Sequence, residues 1–463
     1  MFVNRGKELE FMHAAHKGKG PQFIVVYGKR RVGKTELVKR FFKDLPHVYF
    51  LADKASEKDQ LRSLAEKVGL QFKDDFLISR GFGSWYDFFK YIKGKGRIVV
   101  TIDDFPFLIE ANKAVPSLFQ KGWDEELKDS RIFLILLGSS IGMMETEVLG
   151  YKSPLFGRRT GQLLIEPLDF WHTRKFFPKK TIDEAVAIYA TLGGTPAYLL
   201  RFDPSAVYWT NVRNNMLTTE SYLFAEPEFI LREELREPRN YFSILRAISM
   251  GKTKMSEIIN ETGFEKNVVG KYLSVLAELR IIRREVPVTE KSYEKSKKGI
   301  YLMDDHFFRF WFNFVFPNKS FINEGESEYV VKNKIKPGMD IFVSQAFEEI
   351  CRSYVRKGRL DGLRFNTAGR WWSKAAELDI VAMNEDDNVI LFGEAKWSMK
   401  KVGTDILADL RKKAELVEWG RKNRKEHYVL FSRKGFTEEL AREAGKSGVF
   451  LVGLEKLGSS RID

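Results

Sequence analysis

The sequence predicts an α/β protein of several domains. Three observations carry that prediction. An apolar strand-like run enters a glycine-rich loop and an amphipathic helix at residues 23–42. A helical pair with two short strand-like runs follows between residues 241 and 304. A long amphipathic helix then precedes an apolar hairpin between residues 339 and 397. With 463 residues the chain has room for more than one core. Its formal net charge of +14 points to an anionic partner, of which nucleic acid is the commonest. Cys351 is the single cysteine, which rules out an internal disulfide and a zinc site built of clustered cysteines. No signal-peptide pattern is seen, and no apolar run reaches the about 18 residues that span a bilayer, so a cytoplasmic, non-membrane protein is expected.

In the first segment, the β-branched run at residues 23–27 predicts a strand. Gly28, Gly33, Lys34 and Thr35 then satisfy G-x-x-x-x-G-K-[ST], and Leu37, Val38, Phe41 and Phe42 recur at helical spacing. This strand, loop and helix make a P-loop, in which backbone amides and the helix N-terminus surround phosphates. Gly28, Arg31, Val32, Gly33, Lys34 and Thr35, with Glu36 in the first helical turn, are the expected contacts to ATP. Lys34 would reach the β and γ phosphates and Thr35 would bind Mg2+. A second strand at residues 98–102 ends in Asp103 and Asp104. Asp103 is expected to hold Mg2+ through water and Asp104 to polarise the attacking water. A third strand at residues 132–137 leads to Ser139 and Ser140, placed either to sense the γ-phosphate or simply to cap the strand. Of Arg158 and Arg159, one is read as an arginine finger, with Arg158 assigned that role; a surface ion pair is the plainer reading.

These segments, in this order, resemble the archaeal branch of the STAND-type P-loop ATPases, relatives of the AAA+ proteins, over roughly residues 1–235. The resemblance implies that the R-x-x-E-L element of Arg5, Glu8 and Leu9 lies near the adenine. It also implies that Gly194 and Pro196 form the G-x-P motif of a helical lid. Where many relatives carry Glu, this chain has the shorter Asp104. The family implies a nucleotide switch with slow hydrolysis, often regulated by oligomerisation.

The middle segment reads as a winged helix-turn-helix. Leu245 and Ile248 face inward on one helix, Gly263 ends the next, and Val268, Tyr272, Val275, Leu276 and Leu279 make one stripe of a third. Two strands of a wing then flank a lysine-rich turn. Residues 251–300 carry 11 Lys or Arg against 7 Asp or Glu, and Lys266, Asn267 and Lys271 lie on the polar side of the third helix, where they can meet DNA. A purely structural module is the alternative. The aromatic run at residues 304–317 is expected to pack as a core helix, and its D-x-F-x-x-F-W style resembles the connector of an archaeal ATPase family with an uncharacterised, nuclease-like C-terminal domain.

In the last segment, helical phase turns Glu348 toward the domain and Glu349 away from it. Two apolar strands flank a turn. With a loop of residues 385–388, Asn384 pairs with Val389, Asp379 falls opposite Glu394, and Lys396 falls opposite Glu377. Facing Cβ atoms would then be about 4.5–5.5 Å apart. Two facing carboxylates repel unless a proton or a cation lies between them. Asp-x14-Glu-x-Lys resembles the PD-(D/E)xK nuclease fold, with Leu378 in place of the usual Pro. The resemblance implies Mg2+, or Mn2+, on Asp379 and Glu394 with Glu348 as the extra helical acid, and Lys396 orienting the nucleophile. Residues 396–434 hold 12 basic against 5 acidic side chains, which suits a nucleic-acid backbone. The expected organisation is a P-loop NTPase α/β core (1–168), helical lid (169–235), winged helix-turn-helix (236–304), aromatic connector (305–335) and C-terminal α/β PD-(D/E)xK-like domain (336–463). The expected function is an ATP-dependent switch that binds DNA and can cut it with a metal. A non-cutting switch in regulation or defence is the alternative.

Overall fold

The apolar run at the first loop forms β1 (Gln22–Tyr27), and its side chains alternate between two cores. Phe23, Val25 and Tyr27 join one core, while Ile24 and Val26 join the other with Leu37, Val38 and Phe41 of the helix Lys34–Phe42. A strand buried on both faces calls for a continuous apolar run, which is what the sequence supplies. In this computed structural model, which describes residues 2–235, 237–360, 362–421 and 423–459, β1 belongs to an all-parallel sheet. Its other strands are β2 (His47–Leu51), β3 (Val99–Asp103), β4 (Phe133–Gly138) and β5 (Gly161–Leu164), in the order β2-β3-β4-β1-β5. Because β4 separates β1 from β3, residues just after β4 lie between the glycine loop and Asp103. This sheet and its helices form one compact unit, Met1–Pro167 with Thr195–Ala197.

The second unit comprises Leu168–Gly194 and Tyr198–Asp463. It takes in the segments expected as lid, wing, connector and last domain. After the helices Ile182–Leu192, Tyr208–Met216 and Tyr222–Glu234 come three more, Pro238–Ser249, Met255–Thr262 and Lys266–Glu278. An antiparallel pair follows, β6 (Ile282–Glu285) with β7 (Ile300–Met303). Gly263 closes the middle helix at φ +69°, a conformation glycine adopts without strain. One expectation needs correcting. The buried face of Lys266–Glu278 is Val269, Leu273 and Leu276, while Val268, Tyr272, Val275 and Leu279 are only half-buried. The stripe therefore runs one residue out of phase with the predicted one. Two adjacent apolar rows exist in the sequence, and the hydrophobic pattern alone does not choose between them.

The aromatic run is buried as helix His306–Phe310 and a wider turn, Trp311–Val315. Helix Met339–Arg356 then precedes β8 (Thr367–Trp372), β9 (Glu377–Asn384), β10 (Val389–Lys396), β11 (Lys425–Ser432) and β12 (Phe450–Gly453). The order is β12-β11-β10-β9-β8, antiparallel from β8 to β10 and parallel from β10 to β12. Helix Thr404–Ala414 lies between β10 and β11 in the chain and buries Leu407 and Leu410 in the core under this sheet. Among the described residues, no helix is long and apolar enough to cross a membrane.

Candidate functional site

The glycine loop is shaped by backbone conformation. Gly28, Arg31 and Gly33 have φ of +147°, +69° and +93°, which turns successive amides toward one concavity. A Cβ at Gly28 would lie 2.2 Å from the Ile165 carbonyl oxygen, so that position admits no side chain. Lys34 is buried, and its Nζ donates to the carbonyls of Gly28 and Lys29 at 2.9 and 2.8 Å. Val32 is buried beneath the loop and Glu36 is exposed in the first helical turn.

Three donors converge on Asp103. Thr35 Oγ1 and the Tyr49 hydroxyl both donate to Oδ2 at 2.7 Å, and the Asp104 amide donates to Oδ1 at 2.9 Å. Thr35 and Asp103 thus present the hard oxygens that Mg2+ takes. Asp104 sits at φ +52°, and its Oδ1 accepts from Ser139 at 3.2 Å. Burial, then the charge of Asp103, raises the Asp104 carboxyl above its ordinary range, which makes it a stronger base when ionised. Ser139, just after β4, thus bonds the second acid of the pair.

Arg5 lies against the glycine loop. Its guanidinium donates to the carbonyls of Val32 at 3.2 Å and Glu166 at 2.6 Å and pairs with Glu8 at 3.1 Å, so it braces the loop backbone. Arg158 pairs with Asp124 at 3.0 Å and donates to the Phe156 carbonyl, as the ion-pair reading expects. Pro196 opens the short helix Pro196–Leu199 and clusters with the first unit. Gly194 has a reason to be glycine that needs no ligand: its Cβ would lie 1.7 Å from the Leu168 carbonyl oxygen. Gly194→Ala is expected to cost about 2–3 kcal/mol, read as a lower midpoint in chemical denaturation.

The second constellation lies at the ends of β9 and β10. The register pairs Val389 with Asn384, as the loop length predicted, and continues to Gly393 with Ile380; Asp379 and Glu394 are the next residues on the two strands. The ladder stops short of them. Asp379 Oδ2 instead accepts from the Ala395 amide at 3.0 Å. The expected pairing of Lys396 with Glu377 is therefore not made: Lys396 Nζ bonds Glu394 Oε1 at 2.7 Å, and Glu377 pairs with Arg370. Lys413, from helix Thr404–Ala414, lies 3.5 Å from the same Glu394 oxygen. Nothing in the sequence pattern marks Lys413, since it arrives through space. Glu394 is 5% exposed, and its Oε2 is buried with no hydrogen-bond partner.

Glu348 faces this group, as its helical phase predicts, and pairs with Arg352 at 3.6 Å; Arg352 also donates to the Asp379 carbonyl. Burial and then the charge of Asp379 push the Glu348 carboxyl up to about 7, against Arg352 and Arg370. The same two causes raise Glu394. Glu349 turns elsewhere, to Arg283 and His306 at 3.7 and 3.5 Å. Among the described residues, no group of three or more His, Cys, Asp or Glu side chains is arranged to hold a metal ion. Each acid already has a protein partner.

A carboxyl raised in the folded state favours folding below its unfolded value and loses that contribution as pH rises through the folded one. Glu348→Gln is therefore expected to stabilise the protein by about 2 kcal/mol at pH 8 and to change little at pH 4. Denaturant midpoints at the two pH values check this.

Comparison with known proteins agrees with the first site. Residues 2–202 match an ATPase domain predominantly from Archaea, and residues 311–406 match archaeal and bacterial proteins of unknown function. Over 439 residues the chain is 36% identical to an uncharacterized protein of Methanocaldococcus jannaschii, covering 94% of this chain and 96% of that one. A stretch of 44 residues, 10% of this chain, is 48% identical to 75% of an uncharacterized ATP-binding protein of the same organism. The Walker-type ATPase of Pyrococcus abyssi shares the fold, with a TM-score of 0.52 at 20% identity over 67% of this chain and 96% of that one. The glycine loop, the paired acids of β3 and these matches together make the chain an ATP-binding P-loop ATPase: residues 2–202 belong to an ATPase family predominantly from Archaea, and the whole chain belongs with the uncharacterized M. jannaschii protein.

Proposed function

We propose that the chain is an ATP-driven switch of the STAND type whose second unit acts on nucleic acid. The C-terminal elements run helix, three antiparallel strands, helix, parallel strand, the element order of the PD-(D/E)xK nucleases. The observation that supports the reading is a register that ends one residue short of Asp379 and Glu394, with Glu348 raised by burial and then by the charge of Asp379. The unpartnered Glu394 Oε2 fits a cation. Asp379 and Glu394 would hold Mg2+ or Mn2+, and Glu348 would join them only on leaving Arg352. Such an ion supplies a water of lowered pKa and steadies a phosphate. Lys396 holds one Glu394 oxygen and balances its charge. The three helices and the β6–β7 pair form a winged helix-turn-helix, and Lys266, Asn267 and Lys271, all exposed, are its DNA contacts. Arg158, released from Asp124, serves as the arginine finger, in its own chain or across a subunit interface, and Arg5 and Pro196 border the nucleotide.

The test is labelled DNA incubated with Mg2+ or Mn2+, with and without ATP. Cleavage by the wild type that is lost in Asp379→Asn supports cutting, and intact DNA under every metal rejects it. One observation favours the non-cutting alternative: every acid of the group already has a protein partner, and no three gather around a common point. That reading expects salt-dependent DNA binding without cleavage.

A further inference from the structure

Tyr49 lies on β2, and Val48 and Phe50, its neighbours, point into one core. Strand alternation turns Tyr49 to the opposite face, where it packs under the helix that follows the glycine loop. Its ring lies 6.1 Å from that of Phe42, and Lys39 Nζ sits 5.0 Å above it. The β2–β3 register pairs Tyr49 with Thr101 and Leu51 with Asp103, so Tyr49 and Asp103 share a face, two steps apart along the ladder. The ring is therefore fixed by packing, and its hydroxyl meets Asp103 Oδ2 at 2.7 Å. Thr35 Oγ1 shares that oxygen at the same distance.

We propose that Tyr49 is a positioning residue for ATP hydrolysis: its hydroxyl fixes the Asp103 carboxylate for the Mg2+ that accompanies ATP. When the Thr35 hydroxyl is given over to the metal, Oδ2 loses one of its two side-chain donors. The Tyr49 hydroxyl retains the other, and the Asp104 amide continues to hold Oδ1. The carboxylate plane thus stays set while its second donor changes task. Partners that orient metal-binding groups matter nearly as much as the groups themselves. A phenol O–H donates to a carboxylate, so Tyr49 holds Oδ2 from its own side of the group whichever way Thr35 turns.

Tyr49→Phe removes the hydroxyl and keeps the ring and its packing. The expected result is a kcat lowered about tenfold, with KM for ATP unchanged within about twofold, and half-saturating Mg2+ raised about fivefold. A second readout needs no turnover. A fluorescent, non-hydrolysable ATP analogue binds the variant as it binds wild type in EDTA, but gains about fivefold less affinity when Mg2+ is added. In an Asp103→Asn background the same substitution has no further effect on that gain, because Tyr49 acts through Asp103. Wild-type kcat and wild-type Mg2+ dependence in Tyr49→Phe would overturn the proposal, as would an undiminished effect in the Asp103→Asn background. A change in thermal stability alone would make Tyr49 a packing residue and overturn it equally.

Discussion

Lys34→Ala is expected to lower ATP turnover by about a thousandfold, measured as phosphate release. The ammonium is the buried cation of a loop that also carries Lys29, Arg30 and Arg31, and the fold holds it by two backbone carbonyls, Gly28 and Lys29. At the phosphates its charge would stabilise the transferred phosphoryl group more in the transition state than in the bound nucleotide. Alanine keeps the helix that starts at this position, since it is the best helix former. The loss should therefore appear in kcat with near-native circular dichroism. Turnover that survives the substitution would place the nucleotide site elsewhere.

Under the proposed nuclease reading, Asp379→Asn is expected to remove metal-dependent DNA cleavage, by at least about a hundredfold, while the domain stays folded. Asparagine keeps a carbonyl oxygen for the Ala395 amide, so the end of the β10 ladder retains its cap. The charge that raises Glu348 and Glu394 disappears, and both carboxyls should move back toward their ordinary range. The variant is then easier to keep folded at neutral and alkaline pH than the wild type, because ionising Glu348 and Glu394 costs less. Lost cleavage together with unchanged or raised stability above pH 7 separates a role in chemistry from a role in folding.

Much of this was legible in residue patterns because local rules dominate there. Gly28, Gly33, Lys34 and Thr35 state a backbone shape and a charge in consecutive residues. The turn at residues 385–388 states a register by parity, and the pairing of Val389 with Asn384 follows it. Contacts that depend on distant segments were not legible. Lys413 comes to Glu394 from a helix whose own pattern is an ordinary charged surface. Tyr49 reads as one aromatic among core residues until the β2–β3 register places its hydroxyl on Asp103. Arg5 reaches the Glu166 carbonyl across most of the first unit's sequence. The phase of helix Lys266–Glu278 failed for a different reason: two apolar rows are equally good locally, and tertiary packing selects Val269, Leu273 and Leu276. The ladder's early end, which separates Lys396 from Glu377, follows from Asp379 capping the Ala395 amide in place of a further backbone pair.

On the proposed reading, Asp379 and Glu394 would hold a divalent metal. Mn2+ titration followed by electron paramagnetic resonance, on nucleotide-free protein carrying Lys34→Ala, decides this. A protein-bound Mn2+ is expected in that background and is lost when Asp379→Asn is added. Equal Mn2+ binding in both proteins, or none in either, would contradict it.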